Sequence, residues 1–404
     1  VDGNGSTLGD FVETESIFIA DYPAKFKCIN KRGFTENNSF IHDDVLETSN
    51  KMSVGHIFES LCEHYGFEWH EAGKVMGLSA YGKPNENLPK ILIDGRANPE
   101  MFRGRKFVYE YEKTFQNMAD IAYAAQKECQ EYVTSFILKA IDLSKNKNVC
   151  LSGGFFLNCV ANYEYLKHLP EGTNLYIEPI SGDAGLSIGV AKHIWHSKTG
   201  DTTIRKLNSL YCGPKPDLTI PDNVEIKKVT PQDVAELLRD GKIVAIFQGR
   251  SEAGPRALGN RSILFDPRVP DGKDIVNGVK HREWFRPFAG TILEEDVHEW
   301  FDLRGMDNSP YMMYAVNCKD GIAEKIPSII HEDGTCRIQT VNINQNEKYY
   351  ELIKEFEKIS DIPILFNTSL NLAGDPLVET ANEALDVLRK TEIKYIWMPD
   401  IEKL

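Results

Sequence analysis

A chain of 404 residues with 42% hydrophobic and 26% charged residues carries enough apolar material for two globular domains and too much for a disordered or fibrous chain. Its formal charge of -14 speaks against an extended nucleic-acid or anionic-membrane surface. The eight cysteines form no CxxC pair, no apolar run reaches the roughly 20 residues that span a bilayer, and VDGNGSTLGD has neither a basic nor an apolar leader region, so reduced thiols, no membrane and a cytoplasmic location are expected.

In chain order, residues 1–22 read as a strand and tight turn, VDGNGS, followed by the alternating stretch VETESIFIA. Asp2, Gly3 and Gly5 admit two readings: a plain hairpin turn, or a turn whose glycines let the backbone approach a nucleotide phosphate. Residues 53–66 have apolar positions at helical spacing, and HEAGKVMGLSAYGKPN then breaks the pattern with its glycines and Pro84, which predicts a loop. Residues 115–145 carry Ile121, Ala122, Ala125, Cys129, Val133, Phe136 and Ile137 at intervals of three and four, the pattern of a core helix. A short strand at 148–151 then enters Ser152-Gly153-Gly154, with a helix predicted over 157–166. Such a strand, glycine turn and helix offer backbone amides and a helix N-terminus to a phosphate, with Asn158 and Asn162 one turn apart on it; a generic strand-to-helix turn fits equally. A strand at 176–179 leads into SGDAG and a helix through Trp195. There Asp183 either caps the helix or faces a cation beside polyphosphate.

Residues 201–228 lose periodicity and collect Pro214, Pro216 and Pro221, the composition of a linker, placed at 206–228 between domains 1–205 and 229–404. TPQDVAELLRDGK predicts a helix started by Thr230 or Asp233 and stopped by Gly241. KIVAIFQG is a buried strand delivering Arg250 to its end.

The next stretch runs against the acidic trend. Between Arg250 and Arg286 stand eight Lys/Arg against five acids, Glu252 among them. Gly254-Pro255 and Gly259-Asn260 turn the backbone between Arg250, Arg256 and Arg261, so the guanidinium groups can converge on a small anion. A solvated basic loop is the alternative, against which the interleaved Leu258, Ile263, Phe265, Phe285 and Phe288 favour partial burial. Strands are predicted at 311–316 and 335–341, the second placing Arg337 among apolar residues, where a buried guanidinium needs a partner. A strand at 362–365 empties into Asn367-Thr368-Ser369 and Asn371, and a helix at 383–389 closes the chain.

KVMGLSAYG, LSGGFFLNCVAN, PISGDAGLSIGVA, GRSEAGPRALGNRSILFDPR, KHREWFRPFAG, HEDGTCRIQTV and FNTSLNLAGDPLVET, in this order, resemble the successive motifs of the O-carbamoyltransferases of antibiotic and nodulation-factor biosynthesis. The resemblance covers essentially the whole chain. It implies a mixed α/β and α+β protein: a partial actin-like (sugar-kinase-like) domain over 1–205 and a YrdC-like domain over 229–404. It implies that carbamoyl phosphate and ATP bind through Arg250, Arg256, Arg261, Lys280, Arg282, Arg286, Arg337, Asn367, Ser369 and Asn371, with Arg256, Arg261, Lys280, Arg286 and Asp183 catalytic. Carbamoyl adenylate would then be held in the first domain by Asp2, Gly3, Gly5, Gly153, Gly154 and Asn158, and the carbamoyl group passed to the hydroxyl of a sugar, nucleoside or antibiotic-like alcohol; Lys74 and Tyr81 are candidate contacts to nucleotide or acceptor, with a packed inter-element loop as the equal alternative on composition.

The implied cofactors are ATP and Mg2+, with Fe2+ or another divalent ion at the transfer site on Asp2 and Asp183. A preceding lobe with a His-x-x-x-His metal motif is also implied. The closest pairs here, His64/His70 and His193/His196, lack that spacing, so the chain is expected to be a fragment or processed product. A threonylcarbamoyl-adenylate-type tRNA-modification enzyme, a DNA-base carbamoyltransferase and a non-catalytic nucleotide-binding module are the alternatives. Nucleic acid is not an expected partner on the acidic balance; the acceptor, the metal and the oligomeric state, a homodimer included, are left open.

Overall fold

A computed structural model describes residues 1–35, 45–205, 209–216, 218–221 and 224–404. The chain forms two compact mixed α/β units, Val1–Arg205 and Lys206–Leu404. Of the segment predicted as linker, residues 206–208, 217, 222 and 223 lie outside the described residues. Its described part includes residues built into the second unit: Leu210 is buried, and the Tyr211 hydroxyl donates to Leu258 O at 2.8 Å.

In the first unit the alternating stretch forms the strand Phe11–Asp21, paired antiparallel with Lys25–Thr35, which in turn pairs in parallel with Leu46–Ser49. The 30-residue helix Phe115–Ser144 buries Ala119, Ile121, Ala122, Ala125, Cys129, Val133, Phe136 and Ile137, the stripe its periodicity predicts. Thr114 caps it by accepting from Asn117 N at 3.2 Å. The predicted loop at 70–85 contains a helix, Ala72–Ser79, that buries Val75 and Leu78. Packing against the long helix outweighs the low intrinsic propensity of Gly73 and Gly77. The strands Asn148–Leu151 and Asn174–Ile177 pair in parallel, each leading into a short turn of helix.

The second unit is built on an eight-stranded sheet with the order Phe301–Asp302, Ala315–Cys318, Thr335–Val341, Ala289–Leu293, Ile364–Ser369, Arg261–Phe265, Val244–Phe247, Tyr395–Trp397. The strand expected at 311–316 starts only at Ala315, because Met312 sits at φ 57° in a left-handed turn. The strands Val244–Phe247, Arg261–Phe265 and Ala289–Leu293 are buried at every residue. Leu370, Val378, Leu385 and Ile396 close a core over Ala245, Phe247 and Ile263.

The helix Pro231–Arg239 starts as predicted, and with more than the expected cap. Thr230 accepts from Asp233 N at 3.3 Å while the Asp233 carboxylate accepts from Thr230 N at 2.7 Å, a reciprocal capping box. Thr230→Ala is expected to lower the unfolding free energy of this unit by about 1 kcal/mol, with Thr230→Ser close to wild type. Equal denaturation midpoints for the alanine variant and wild type would show that the box contributes nothing.

Candidate anion site and glycine-turn cluster

The sheet register of the second unit decides which polar residues meet. Ala289 pairs with Arg337 on one side and Asn367 on the other, and Ala315 flanks Arg337 from the far strand. Residues in one cross-strand row share a face, so Arg337 and Asn367 lie on the same face, and the two alanines leave room for the long guanidinium. The next row brings Thr291 opposite Gln339. Their side chains bond at 2.9 Å, and Asn367 Nδ2 donates to Thr291 Oγ1 at 2.9 Å. This polar row inside an otherwise apolar sheet is fully buried at Asn367 and Thr291.

Lys280 follows the short helix Gly272–Val279 and points at the end of the Ile364–Ser369 strand. Its ammonium donates to the carbonyl of Ser369, to Asn371 O at 2.7 Å and to Asn371 Oδ1 at 2.9 Å. Those acceptors occupy its three donors. Lys280 therefore holds the 369–371 loop and contributes charge, instead of gripping a phosphate directly as expected. Burial, with Arg282 and Arg286 adding to it, lowers the Lys280 ammonium well below the usual lysine range.

Arg282, Arg286 and Arg337 are gathered around the same place. Burial, then the charges of Arg286 and Arg337, bring the Arg282 guanidinium down to about 9, with Glu283 opposing. A guanidinium does not release its proton at neutral pH, so an anion placed here would offset this crowding of positive charge. Arg282 Nη1 lies 3.4 Å from Thr368 Oγ1, and its plane rests 4.8 Å from the Phe288 ring. The Nε atoms of Arg282 and Arg337 are buried and have no hydrogen-bond partner among the described residues. Orphaned charged donors of this kind fit the oxygens of a phosphate or carbamoyl group.

The GPRALGNR segment is organised differently from expectation. Arg261 is fully buried. Its Nε donates to Val378 O at 3.0 Å, Nη1 to Gln248 O and to Asn260 O at 2.9 Å, and Nη2 to Gly249 O at 3.2 Å. Its guanidinium stacks 3.9 Å over Phe247, its cross-strand partner. This residue ties the loop to the sheet and does not face a ligand as a cradle arginine would. Arg250 is exposed, with its guanidinium on the carbonyls of Gly213 and Cys212. Arg256 is half-buried on the loop between them.

The residue that shapes the loop is Glu252, which the sequence presents only as one more acid in a basic stretch. One of its carboxylate oxygens accepts from the amides of Leu258 (2.7 Å), Asn260 (2.9 Å) and Arg261 (3.3 Å). Burial pushes its carboxyl above the usual range even though the amides of Asn260, Leu258 and Arg261 oppose it. The turn also requires Gly259, whose φ is 104° and where a Cβ would lie 2.2 Å from the Tyr349 ring. An acid directly before AGPR was the available signal for Glu252.

In the first unit the glycine turns do meet. Gly153, at φ 113°, is pressed so closely on the VDGNG turn that a Cβ there would lie 2.1 Å from Val1 O, and one on Gly154 would lie 3.4 Å from Asp2 Oδ1. Gly153 N donates to Ser181 O at 2.8 Å, which brings the SGDAG segment into the cluster. Asp2 Oδ1 accepts from Gly3 N at 2.8 Å, and Gly5 N pairs with Glu13 O at 2.7 Å.

Three expectations change here. Asn158 caps the helix Cys159–His168, accepting from Ala161 N at 3.1 Å while exchanging bonds with Gln126, so its amide is committed inside the protein. Asn162 is buried and donates to Phe156 O at 2.7 Å. Asp183 is exposed and makes no capping bond at the helix that follows. Lys74 pairs with Glu71 at 2.7 Å, and the Tyr81 ring packs on Phe115.

Among the described residues no three of His, Cys, Asp and Glu converge as a metal ligand set. Asp2 and Asp183 alone do not make a divalent-ion site, and the His-x-x-x-His pair that the resemblance implies as further ligands is not among the histidines of this sequence. All eight cysteines are free, with Cys62, Cys129, Cys159 and Cys336 buried. No helix among the described residues is long and apolar enough to cross a membrane.

Comparison with known proteins draws both units together. A family model described as carbamoyltransferase N-terminus matches residues 25–192, and one described as carbamoyltransferase C-terminus matches residues 235–402. The nodulation protein NolO of Bradyrhizobium diazoefficiens is 30% identical over 84% of this chain and 67% of its own length. The chain belongs to the carbamoyltransferase family. The nodulation protein NolNO of Sinorhizobium fredii is 31% identical over 84% of this carbamoyltransferase-family chain and 54% of its own length. The chain thus spans between about half and two thirds of the length of these two relatives. A crystal structure of full-length HypF in a phosphate- and nucleotide-bound form is similar at 20% identity and a TM-score of 0.30, covering 41% of this chain and 24% of HypF.

Proposed function

We propose that the protein takes part in ATP-dependent O-carbamoyl transfer from carbamoyl phosphate to the hydroxyl of a small-molecule alcohol. The first unit is read as an actin-like transfer domain and the second as a YrdC-like activating domain. The observation that carries the reading is the group of Arg282, Arg286 and Arg337 beside the Lys280-held loop, with two buried guanidinium Nε donors unfilled. Family membership supplies the reaction class.

In the second unit water attacks the phosphorus of carbamoyl phosphate, releasing inorganic phosphate and leaving carbamate. A carbamate oxygen attacks the α-phosphorus of ATP, and the bond to the β-phosphate breaks to give carbamoyl adenylate and pyrophosphate. The work of the arginines is to hold negative charge in place as it shifts between oxygens, the dominant contribution in such transfers. Lys280 fixes the loop of residues 369–371 and Glu252 the loop of residues 252–261. In the second step the acceptor oxygen attacks the carbonyl carbon, its proton is lost and AMP leaves. Orientation is the main requirement there, because adenylate is a good leaving group.

The test is product analysis with the full-length protein, ATP and carbamoyl phosphate. AMP and pyrophosphate are expected, formed only when carbamoyl phosphate is present. ADP as the main nucleotide product would replace this reading with a kinase-like one.

A further inference from the structure

His331 is half-buried at the edge of the anion site, in the turn that leads into the strand Thr335–Val341. His331 N donates to Thr335 O at 2.8 Å and Gly334 N to His331 O at 2.9 Å. Side chains two positions apart on a strand share a face, so Thr335, whose hydroxyl meets the His331 ring, lies on the face that carries Arg337. The other edge of the ring reaches the residue before the strand Ala289–Leu293. His331 Nε2 donates to Phe288 O at 3.0 Å, the Phe288 ring is the one that packs 4.8 Å from the Arg282 guanidinium, and Ala289 pairs with Arg337. One imidazole therefore joins the backbone beneath Arg282 to the turn that introduces Arg337.

The hydrogen bonds around this ring fix how many protons they need. A carbonyl only accepts, so the bond to Phe288 O requires a proton on Nε2. On the other side Nδ1 lies 3.2 Å from Thr335 Oγ1, which in turn donates to Asp333 Oδ1 at 2.7 Å. The hydroxyl has one proton, and the carboxylate takes it. Nδ1 then faces an oxygen lone pair and forms a bond only when it is protonated as well, so the chain of bonds is complete with an imidazolium and one proton short with a neutral ring. The surroundings pull the other way. Burial lowers the proton affinity of the ring; Arg337 on its strand and Lys273 on the helix Gly272–Val279 lower it too, against Asp333 on the turn and the Phe288 carbonyl. An anion beside Arg337 offsets that positive charge and tips the ring to the form its hydrogen bonds require.

We propose that His331 is a proton-linked positioning residue of the anion site: it takes up a proton as an anion binds beside Arg337 and, held as an imidazolium between Phe288 O and the Thr335–Asp333 pair, fixes the backbone that sets Phe288 against Arg282. That the anion in use is carbamoyl phosphate rests on the proposed function; the link between anion and proton does not. The proton comes from solvent and stays on Nδ1, so no bond of the ligand is made or broken. The sign follows from linkage. The bound anion raises the affinity of the ring for its proton, so the anion binds most tightly at low pH, and its affinity falls as pH rises from the value at which the free ring titrates to the higher value of the bound one.

The experiment is calorimetric titration of the full-length protein with sulfate, an anion that does not itself titrate near neutrality, in buffers of differing ionisation enthalpy between about pH 5 and 8, where an imidazole titrates. Wild type should take up a proton with sulfate, approaching one per anion where the affinity falls most steeply. That affinity should drop by at least about tenfold over the range, the equivalent of one unit of pKa change. His331→Gln keeps an amide donor for Phe288 O and cannot be charged, so it should bind sulfate with no proton uptake and an affinity independent of pH. Asp333→Asn, at an exposed position, keeps an acceptor for Thr335 N but removes the charge that draws the hydroxyl proton away from Nδ1. Its proton uptake should fall at least twofold, a result that decides the matter even where the glutamine variant does not fold. No sulfate binding, binding without proton uptake in wild type, or uptake unchanged in either variant would overturn the proposal. Uptake that survives Arg282→Met would also overturn it, by placing the titrating group at another site. Proton-linked sulfate binding by a wild-type protein that forms no pyrophosphate would leave the proposal standing and remove the adenylation reading.

Discussion

Arg282→Met is expected to slow carbamoyl phosphate-dependent pyrophosphate release by on the order of 10²–10³-fold, about 3–4 kcal/mol of transition-state stabilisation. Methionine keeps the length and apolar contact of the arginine stem against Phe288 but removes the buried Nε donor and the charge nearest Arg286 and Arg337. Because the charges of Arg286 and Arg337 oppose that of Arg282, the variant should unfold at the same temperature as wild type or higher. That pairing of outcomes separates a ligand-binding role from a structural one. Arg239→Ala is the control, since Arg239 lies on a surface helix end and pairs with its neighbour Asp240. Pyrophosphate release by Arg282→Met within about threefold of wild type, far short of the expected loss, would take Arg282 out of the site.

Arg261→Met should act on stability first. The substitution removes the guanidinium donors from the carbonyls of Gln248, Gly249 and Val378 and one of the two donors on Asn260 O, which keeps the amide of Gln248, in a largely buried place. A loss of about 3–5 kcal/mol is expected, in the range for breaking a buried charged network. Arg261→Lys should recover little, because one ammonium cannot reach four carbonyls arranged around a planar fork. Arg250→Ala, at an exposed arginine, is expected to cost under about 1 kcal/mol. Urea denaturation of the full-length variants measures all three. A loss below about 1 kcal/mol for Arg261→Met, the value for an ordinary surface change, would mean that the guanidinium turns outward and that the residue belongs to the ligand site after all.

Local pattern was sufficient wherever a single segment decides its own structure. The helix Phe115–Ser144 follows from apolar residues at intervals of three and four, the start of Pro231–Arg239 from Thr230 and Asp233, and the strand Thr335–Val341 from its alternation. The helix Ala72–Ser79 was not legible, since its glycines are poor helix formers and only packing on the neighbouring long helix holds them.

Within the candidate site, residue type established that positive charge is concentrated between Arg250 and Arg286 and that arginines suit an anion. Which arginines are available was decided by residues far away in the chain. Arg261 turns inward because Val378, 117 positions later, presents a carbonyl to it, and Arg250 is drawn to carbonyls 37 and 38 positions earlier. Arg337 and Asn367 share a face because sheet register sets each beside Ala289. A guanidinium looks the same in sequence whether backbone carbonyls or a ligand will fill its donors; only the fold, by placing or withholding those carbonyls, makes one arginine a tie and leaves another open.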